Sequence, residues 1–288
     1  MILLICLSLE LMQNPDQIGL VVPDTAPNED KIICDLVNKG FSARQLLKAS
    51  SSFYRHELEQ KLRIQKHIKV LGGLFSGMLC STSTLSSVLL AKYQGTYECE
   101  VQDLIIEWAS DVDYFLDIGC AEGYYVNGMA YRYGIPSVGV DVNLAAKQLL
   151  LETAKANNLT DYVSFSDSIA AALSGKTGKI LILVDVDGAE HDVLKEVFES
   201  LASALCGIPI NIIFIIETDL ASNNKQNTPD LINFLVEHGA LIQSIARQDP
   251  LRRFSNFSRH LSFMDQWVAG LEGRGAGQQW IVAEWAPL

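Results

Sequence analysis

The residues with the most chemical potential in this chain are carboxylates, and they recur at the ends of short apolar runs. Asp117 is followed by Gly-Cys-Ala-Glu-Gly, and Asp141 and Asp167 each close a run of their own. Asp185-Val-Asp187-Gly-Ala-Glu190-His191 follows the next run and Glu217-Thr-Asp219 the one after, so five successive runs end in acids. Gly119 and Gly123 frame the first turn and let backbone approach a ligand closely, but their G-x-x-x-G spacing is not the dinucleotide pattern G-x-G-x-x-G. Asp117 and Glu122 would repel a pyrophosphate on the helix that follows, since like charges at about 4 Å cost about 1–4 kcal/mol. A ligand carrying an ammonium and a sulfonium would be attracted instead.

The elements that must position these acids alternate. Runs at 114–119, 137–142, 162–166, 179–186, 211–218, 240–247 and 279–285 read as seven strands. Helices are expected at about 123–133, 144–157, 189–204 and 228–238, with Asn143 and Thr228 as N-caps. This is the alternation of a mostly parallel sheet covered on both faces, in which ligands collect at the carboxyl ends of the strands. The expected fold is therefore α/β, Rossmann-like and seven-stranded. Upstream, residues 13–30 hold three prolines and read as a linker, 29–71 show helical spacing, and Gly72-Gly73 ends that stretch. Glu57/Lys61 and Glu59/Arg63 stand as i,i+4 pairs within it. The Ser/Thr-rich stretch 76–87 reads as a loop before a helix at about 98–109. The chain thus divides into an N-terminal helical cap and linker, 1–95, and the sheet domain, 96–288.

Charge and composition exclude several classes. The net charge is −12 over 288 residues, and residues 101–220 carry eighteen acids against six bases while the flanking segments balance. Such a chain disfavours general nucleic-acid binding. The cysteines at 6, 34, 80, 99, 120 and 206 show no zinc spacing and read as reduced, buried thiols of a cytoplasmic protein. MILLICLSL lacks preceding basic residues and is interrupted by Glu10, which argues for a packing segment and against a membrane span.

FLDIGCAEGYY (115–125), VGVDVN (138–143) and the segment around FSDS (165–168) resemble class I S-adenosylmethionine-dependent methyltransferases, over about residues 114–220. ILVDVDGAEHDVLK (182–195) followed by IIFIIETD (212–219) looks like the FkbM-type branch, with Asp187 where that branch usually has Glu. GTYECE (95–100) is similar to a segment preceding the first strand in related enzymes. The resemblance implies a last strand that is antiparallel. It implies that Asp117, Gly119, Cys120, Ala121 and Gly123 surround the methionine part of S-adenosylmethionine and that Asp167 and Ser168 lie near the adenine. Asp141, 22 residues past Gly119, is placed to accept from both ribose hydroxyls. Asp167 could alternatively be a helix N-cap.

The expected activity is methyl transfer to a hydroxyl of a small molecule or glycan. His191 is the base candidate, with Asp187 and Glu190 beside it. Mg2+ held by Asp185, Asp187, Glu217 and Asp219 is the alternative aid to deprotonation. Arg247, Arg252, Arg253 and Arg259, interleaved with Phe254 and Phe257, offer a clamp for an anionic or planar acceptor. The rival classes are a nucleotide-dependent oxidoreductase and a non-catalytic S-adenosylmethionine binder.

Overall fold

The structure is a computed structural model that describes residues 28–85, 88–204, 210–218, 227–249, 252, 262–270, 272 and 278–287. MILLICLSL, nearly all of the proline-rich segment, Cys6, Cys206, Asp219, Arg253, Phe254, Phe257 and Arg259 lie outside these residues. The chain forms two compact units, Met1–Glu57 and Leu58–Leu288.

The first unit contains helix α1 (Asn28–Asn38) and the start of α2 (Ala43–Leu62), with Cys34 buried on α1. The helical run expected over 29–71 is thus broken at Lys39–Ser42 and stops at Leu62. His67–Lys69 instead form strand β1, paired antiparallel with β2 (Leu79–Ser81) inside the stretch expected to be a loop. Three-residue strands are too short to show a period of two in sequence. The Glu59–Arg63 pair is present at 3.3 Å.

The second unit carries α3 (Leu89–Gln94), α4 (Cys99–Trp108), β3 (Tyr114–Ile118), α5 (Tyr124–Tyr133) and β4 (Ser137–Val140). Then come α6 (Leu144–Ala156), β5 (Val163–Ser166), α7 (Ile169–Leu173), β6 (Gly178–Val184) and α8 (Glu190–Ala204). The chain continues through β7 (Ile210–Thr218), α9 (Thr228–Glu237), β8 (Leu241–Arg247), α10 (Phe263–Ala269) and β9 (Gln279–Trp285). Strands β3–β9 form one Rossmann-like sheet in the order β5-β4-β3-β6-β7-β9-β8. All neighbours are parallel except β9, which runs antiparallel to both β7 and β8, so the antiparallel last strand is present.

Alternation along the strands splits the core in two. Phe115, Leu181, Leu183, Ile213 and Ile215 pack on one face with α4 and α5 residues such as Val101, Ile105 and Met129. Leu116, Ile118, Ile182, Val184, Phe214 and Ile216 pack on the other with Leu194, Val197 and Leu231. Strands buried on both faces explain why these segments read as continuous apolar runs. Asn143 caps α6 by accepting from the Ala145 N–H. Thr228 does not cap α9: it is the first helical residue, Asn227 precedes it, and its hydroxyl donates to Thr218 Oγ1 at 2.8 Å. Strand order reverses between β3 and β6, which opens a crevice at their carboxyl ends. Among the described residues no helix is long and apolar enough to cross a membrane.

Candidate functional site

A groove of about 420 Å3 occupies that crevice. Its floor is the turn after β3, where Gly119 N donates to Val140 O at 2.8 Å and Gly123 N to Cys120 O at 2.8 Å. Gly119 has φ +90, and a Cβ placed there would stand 1.8 Å from Asp185 O. Only glycine lets β3 and β6 meet so closely at this point. Gly123 also has a left-handed φ, +79, and a Cβ there would stand 2.6 Å from the Leu150 side chain.

Four of the acids expected at strand ends line this groove: Asp141, Asp167, Asp185 and Asp187, together with Gly119 and Ala121. Asp141 is fixed by backbone donors, with Oδ2 accepting from Ala121 N at 2.9 Å and Oδ1 from Asn143 N at 2.7 Å. Both oxygens keep a lone pair for a ligand. Asp167 is exposed on the rim and does not cap α7; Ser168 does, accepting from Ala171 N. Asp187 is also exposed, in a left-handed turn with φ 48. Leu85, from the loop after β2, covers part of the groove.

Other expected residues sit elsewhere. Cys120 is buried against the Gly139 backbone, and burial with the nearby Asp117 pushes its thiol far above the usual range, so it is a packing group without thiolate character. Glu122, read from sequence as part of the ligand-facing charge, is buried and turned to the Lys92 ammonium, and it also accepts from Leu85 N at 2.9 Å. Its charge is neutralised, and the repulsion of a pyrophosphate comes instead from the groove's own aspartates. Lys92 further lies over the Tyr97 and Tyr124 rings at 4.6 and 5.2 Å.

Glu190 is 1% exposed and ties two elements together, accepting from Gly188 N at 2.7 Å and from Asn227 Nδ2 at 3.0 Å. His191 is exposed on the first turn of α8, its ring 4.7 Å from that of Phe234 on α9. Neither side chain is part of the groove lining. Arg252 pairs with Asp103 beside a second, wider cavity near the carboxyl end of α5.

Of the four residues expected to bind a metal, Asp185 and Glu217 come together, but with Glu98 and not with Asp187. One carboxylate oxygen of each of Glu98, Asp185 and Glu217 lies within 4.8 Å of the others. Glu98 belongs to GTYECE, so the motif marked the segment but not the contact, which is made across more than eighty residues of chain. It precedes α4 in a left-handed conformation, φ 45, and accepts from Tyr125 Oη at 2.6 Å. Asp117 lies buried next to this group. Desolvation, then the charges of Asp185 and Glu98, hold its carboxyl well above the usual range.

No family model matches the chain. Norajmaline N-methyltransferase from Rauvolfia serpentina is 31% identical over 117 residues, which is 40% of this chain and 40% of that protein, so the match spans less than half of either. Among solved structures, the geranyl diphosphate C-methyltransferase of Streptomyces coelicolor A3(2), in complex with Mg2+, geranyl-S-thiolodiphosphate and S-adenosyl-L-homocysteine, is similar over 67% of this chain and 77% of that one. Its identity to this chain is 13% and the TM-score 0.43. The tRNA (uracil-54, C5)-methyltransferase of Pyrococcus abyssi, in complex with S-adenosyl-L-homocysteine, is similar over 76% of this chain and 44% of that one, with 15% identity and a TM-score of 0.45.

Proposed function

We propose that this chain is an S-adenosylmethionine-dependent methyltransferase of FkbM-like type and that the groove between β3, β4, β5 and β6 takes the cofactor. The observation that carries this reading is the pairing of a glycine floor, at Gly119, with walls formed by Asp141, Asp167, Asp185 and Asp187. Backbone approaches at the floor and negative charge surrounds it. That suits a ligand bearing an ammonium, a sulfonium and ribose hydroxyls, and it opposes a pyrophosphate.

In this reading the Gly119–Gly123 turn holds the amino-acid end, Asp141 the ribose, and Asp167 with Ser168 borders the adenine. When bound, S-adenosylmethionine supplies an electrophilic methyl group on sulfur. The chain's own task is then to align an acceptor within about 3–3.5 Å and to exclude water. Leu85, held to Glu122, closes one side of the groove. Asp187 on the rim is the carboxylate we assign to the acceptor side. The contacts of Glu190 and His191 support roles in shaping the turn and anchoring α9, in place of the proton transfer expected from sequence. The acceptor we assign is a hydroxyl of a small molecule or glycan, a reading supported by the FkbM-like turn at 185–190.

Calorimetric titration tests the cofactor. S-adenosylmethionine and S-adenosylhomocysteine are expected to bind, with Asp141→Ala weakening both at least tenfold. Tight NAD binding without a response to either would sink the proposal. Incubation with cofactor and a panel of hydroxyl and amine acceptors, read by mass for an added methyl, tests the acceptor, and methylation of amines alone would overturn the hydroxyl assignment.

A further inference from the structure

The second cavity, of about 1050 Å3, shares no lining residue with the groove. Helix α5 leaves the carboxyl edge of the sheet at Gly123, and its last turn carries Tyr131, Arg132 and Tyr133 to this cavity, ten helical residues or about 15 Å away. A molecule seated there is out of reach of a methyl group in the groove, so any ligand of this cavity is separate from the methyl acceptor.

Its inner wall is the junction that follows α3. Gly95 closes that helix in a left-handed conformation and packs on the Gly72 carbonyl. The Gln102 amide is engaged there, with Nε2 donating to Gly95 O at 3.2 Å and to Tyr97 O at 2.7 Å, and Oε1 accepting from Leu74 N at 2.8 Å. Gln94 and Thr96, on either side of Gly95, also line the cavity but are not engaged. Gln94 is 1% exposed and Thr96 8%, and among the described residues no partner meets Gln94 Nε2, Gln94 Oε1 or Thr96 Oγ1. Buried polar groups left unpaired are costly, and native structures hold few of them. The outer wall differs in kind. Tyr131 and Ile106 are 42% and 58% exposed and present apolar surface. Arg252 is held by Asp103, whereas Arg132 is exposed and forms no ion pair among the described residues. With two arginines against one aspartate, the lining carries a positive charge in a chain whose net charge is −12.

We propose that this cavity binds a small anion bearing a planar donor–acceptor edge, the chemistry shared by a nucleoside monophosphate and an N-acylated amino acid or dipeptide. The Gln94 carboxamide sets a donor beside an acceptor, a pattern that pairs with a nucleobase edge or with another amide. Its side-chain torsions let it turn to such a partner. Thr96 adds a hydroxyl that both donates and accepts. Arg132 takes the phosphate or carboxylate, and Tyr131 with Ile106 covers the ligand's flat face. The proposal goes beyond the methyl-transfer reading and does not require it, since the two sites have no residue in common.

Calorimetric titration of the full chain with UMP, AMP, uridine, N-acetylglycylglycine and inorganic phosphate tests it, with and without saturating S-adenosylhomocysteine. A nucleotide or the acyl dipeptide is expected to bind under both conditions, and which of them binds names the source of the ligand. Uridine should bind at least tenfold more weakly than UMP, and Arg132→Gln should weaken the anionic probe by a similar factor. Gln94→Leu replaces the unpaired amide by an apolar group of similar size. It should lower affinity at least fivefold while the melting temperature holds or rises, and Thr96→Val makes the same test if that variant fails to fold. Asp141→Ala should leave the probe's affinity unchanged. Binding that is lost in Asp141→Ala or blocked by S-adenosylhomocysteine belongs to the groove and overturns the proposal. Failure of every probe to bind at about 1 mM would overturn it too, as would phosphate binding as tightly as UMP or full affinity in both wall variants. If S-adenosylhomocysteine itself does not bind, the cofactor reading fails on its own while the probes still report on this cavity.

Discussion

At the residue scale, Gly119 is where backbone geometry and the proposed chemistry meet. Its left-handed φ and the nearby carbonyl of Asp185 leave no space for a side chain. Gly119→Ala would combine left-handed strain with a backbone clash, together at least about 3 kcal/mol. For a unit of this size that is a fall in melting temperature of about 6–12 °C, measured by calorimetry. Gly134 has φ +66 but open space where a Cβ would go, so Gly134→Ala should cost only the conformational part, about 1 kcal/mol. Equal effects from the two substitutions would show that the close approach of β3 and β6 is not what fixes the turn.

At the element scale, the buried Lys92–Glu122 pair joins α3 to the turn entering α5, and through Leu85 it holds the loop that covers the groove. Lys92→Met strands a buried carboxylate and should destabilise the protein by about 3–5 kcal/mol. Adding Glu122→Gln should recover most of that, because the amide oxygen still accepts from Leu85 while the charge is gone. A double-mutant cycle from denaturant unfolding checks this, and additive effects would mean the two side chains do not couple. Neither residue's partner was legible in the sequence, where Glu122 reads as a ligand-facing acid, because the contact depends on how α3 packs beneath the sheet. Strands β3 to β9 were legible to within one or two residues, since burial on both faces makes the central strands β3, β4, β6 and β7 unbroken or nearly unbroken apolar runs, while the edge strands β5 and β8 are marked by β-branched and aromatic residues between turn signals. The five-residue helix α7 and the β1–β2 pair were not, because neither is long enough to express its period. Asp141 and Gly119 could be placed from local spacing alone. Glu98 could not, because its meeting with Asp185 and Glu217 is set by the docking of α4 on the sheet.

At the scale of the whole molecule, the excess negative charge resolves into groups with different roles. Of the acids between residues 101 and 220, Asp141, Asp167, Asp185 and Asp187 surround the groove, Asp117 and Glu217 sit behind it, and Glu122 and Glu190 are consumed by internal contacts. Four aspartates of this segment are therefore gathered around the groove at the carboxyl edge of the sheet. S-adenosylmethionine carries one more positive charge than S-adenosylhomocysteine, so under the proposed function the two ligands should respond differently to salt. Screening acts over about 10 Å at 0.1 M ionic strength and about 3 Å at 1 M. Raising sodium chloride from about 20 mM to about 500 mM should weaken S-adenosylmethionine binding several-fold while changing S-adenosylhomocysteine binding less than twofold, read by titration calorimetry. Replacing Asp167 and Asp187 together by asparagine should remove most of that difference, since both are exposed at the rim and neither is held by the turn contacts that fix Asp141. An identical salt response for the two ligands would mean that the acidic edge does not act on the cofactor's charge.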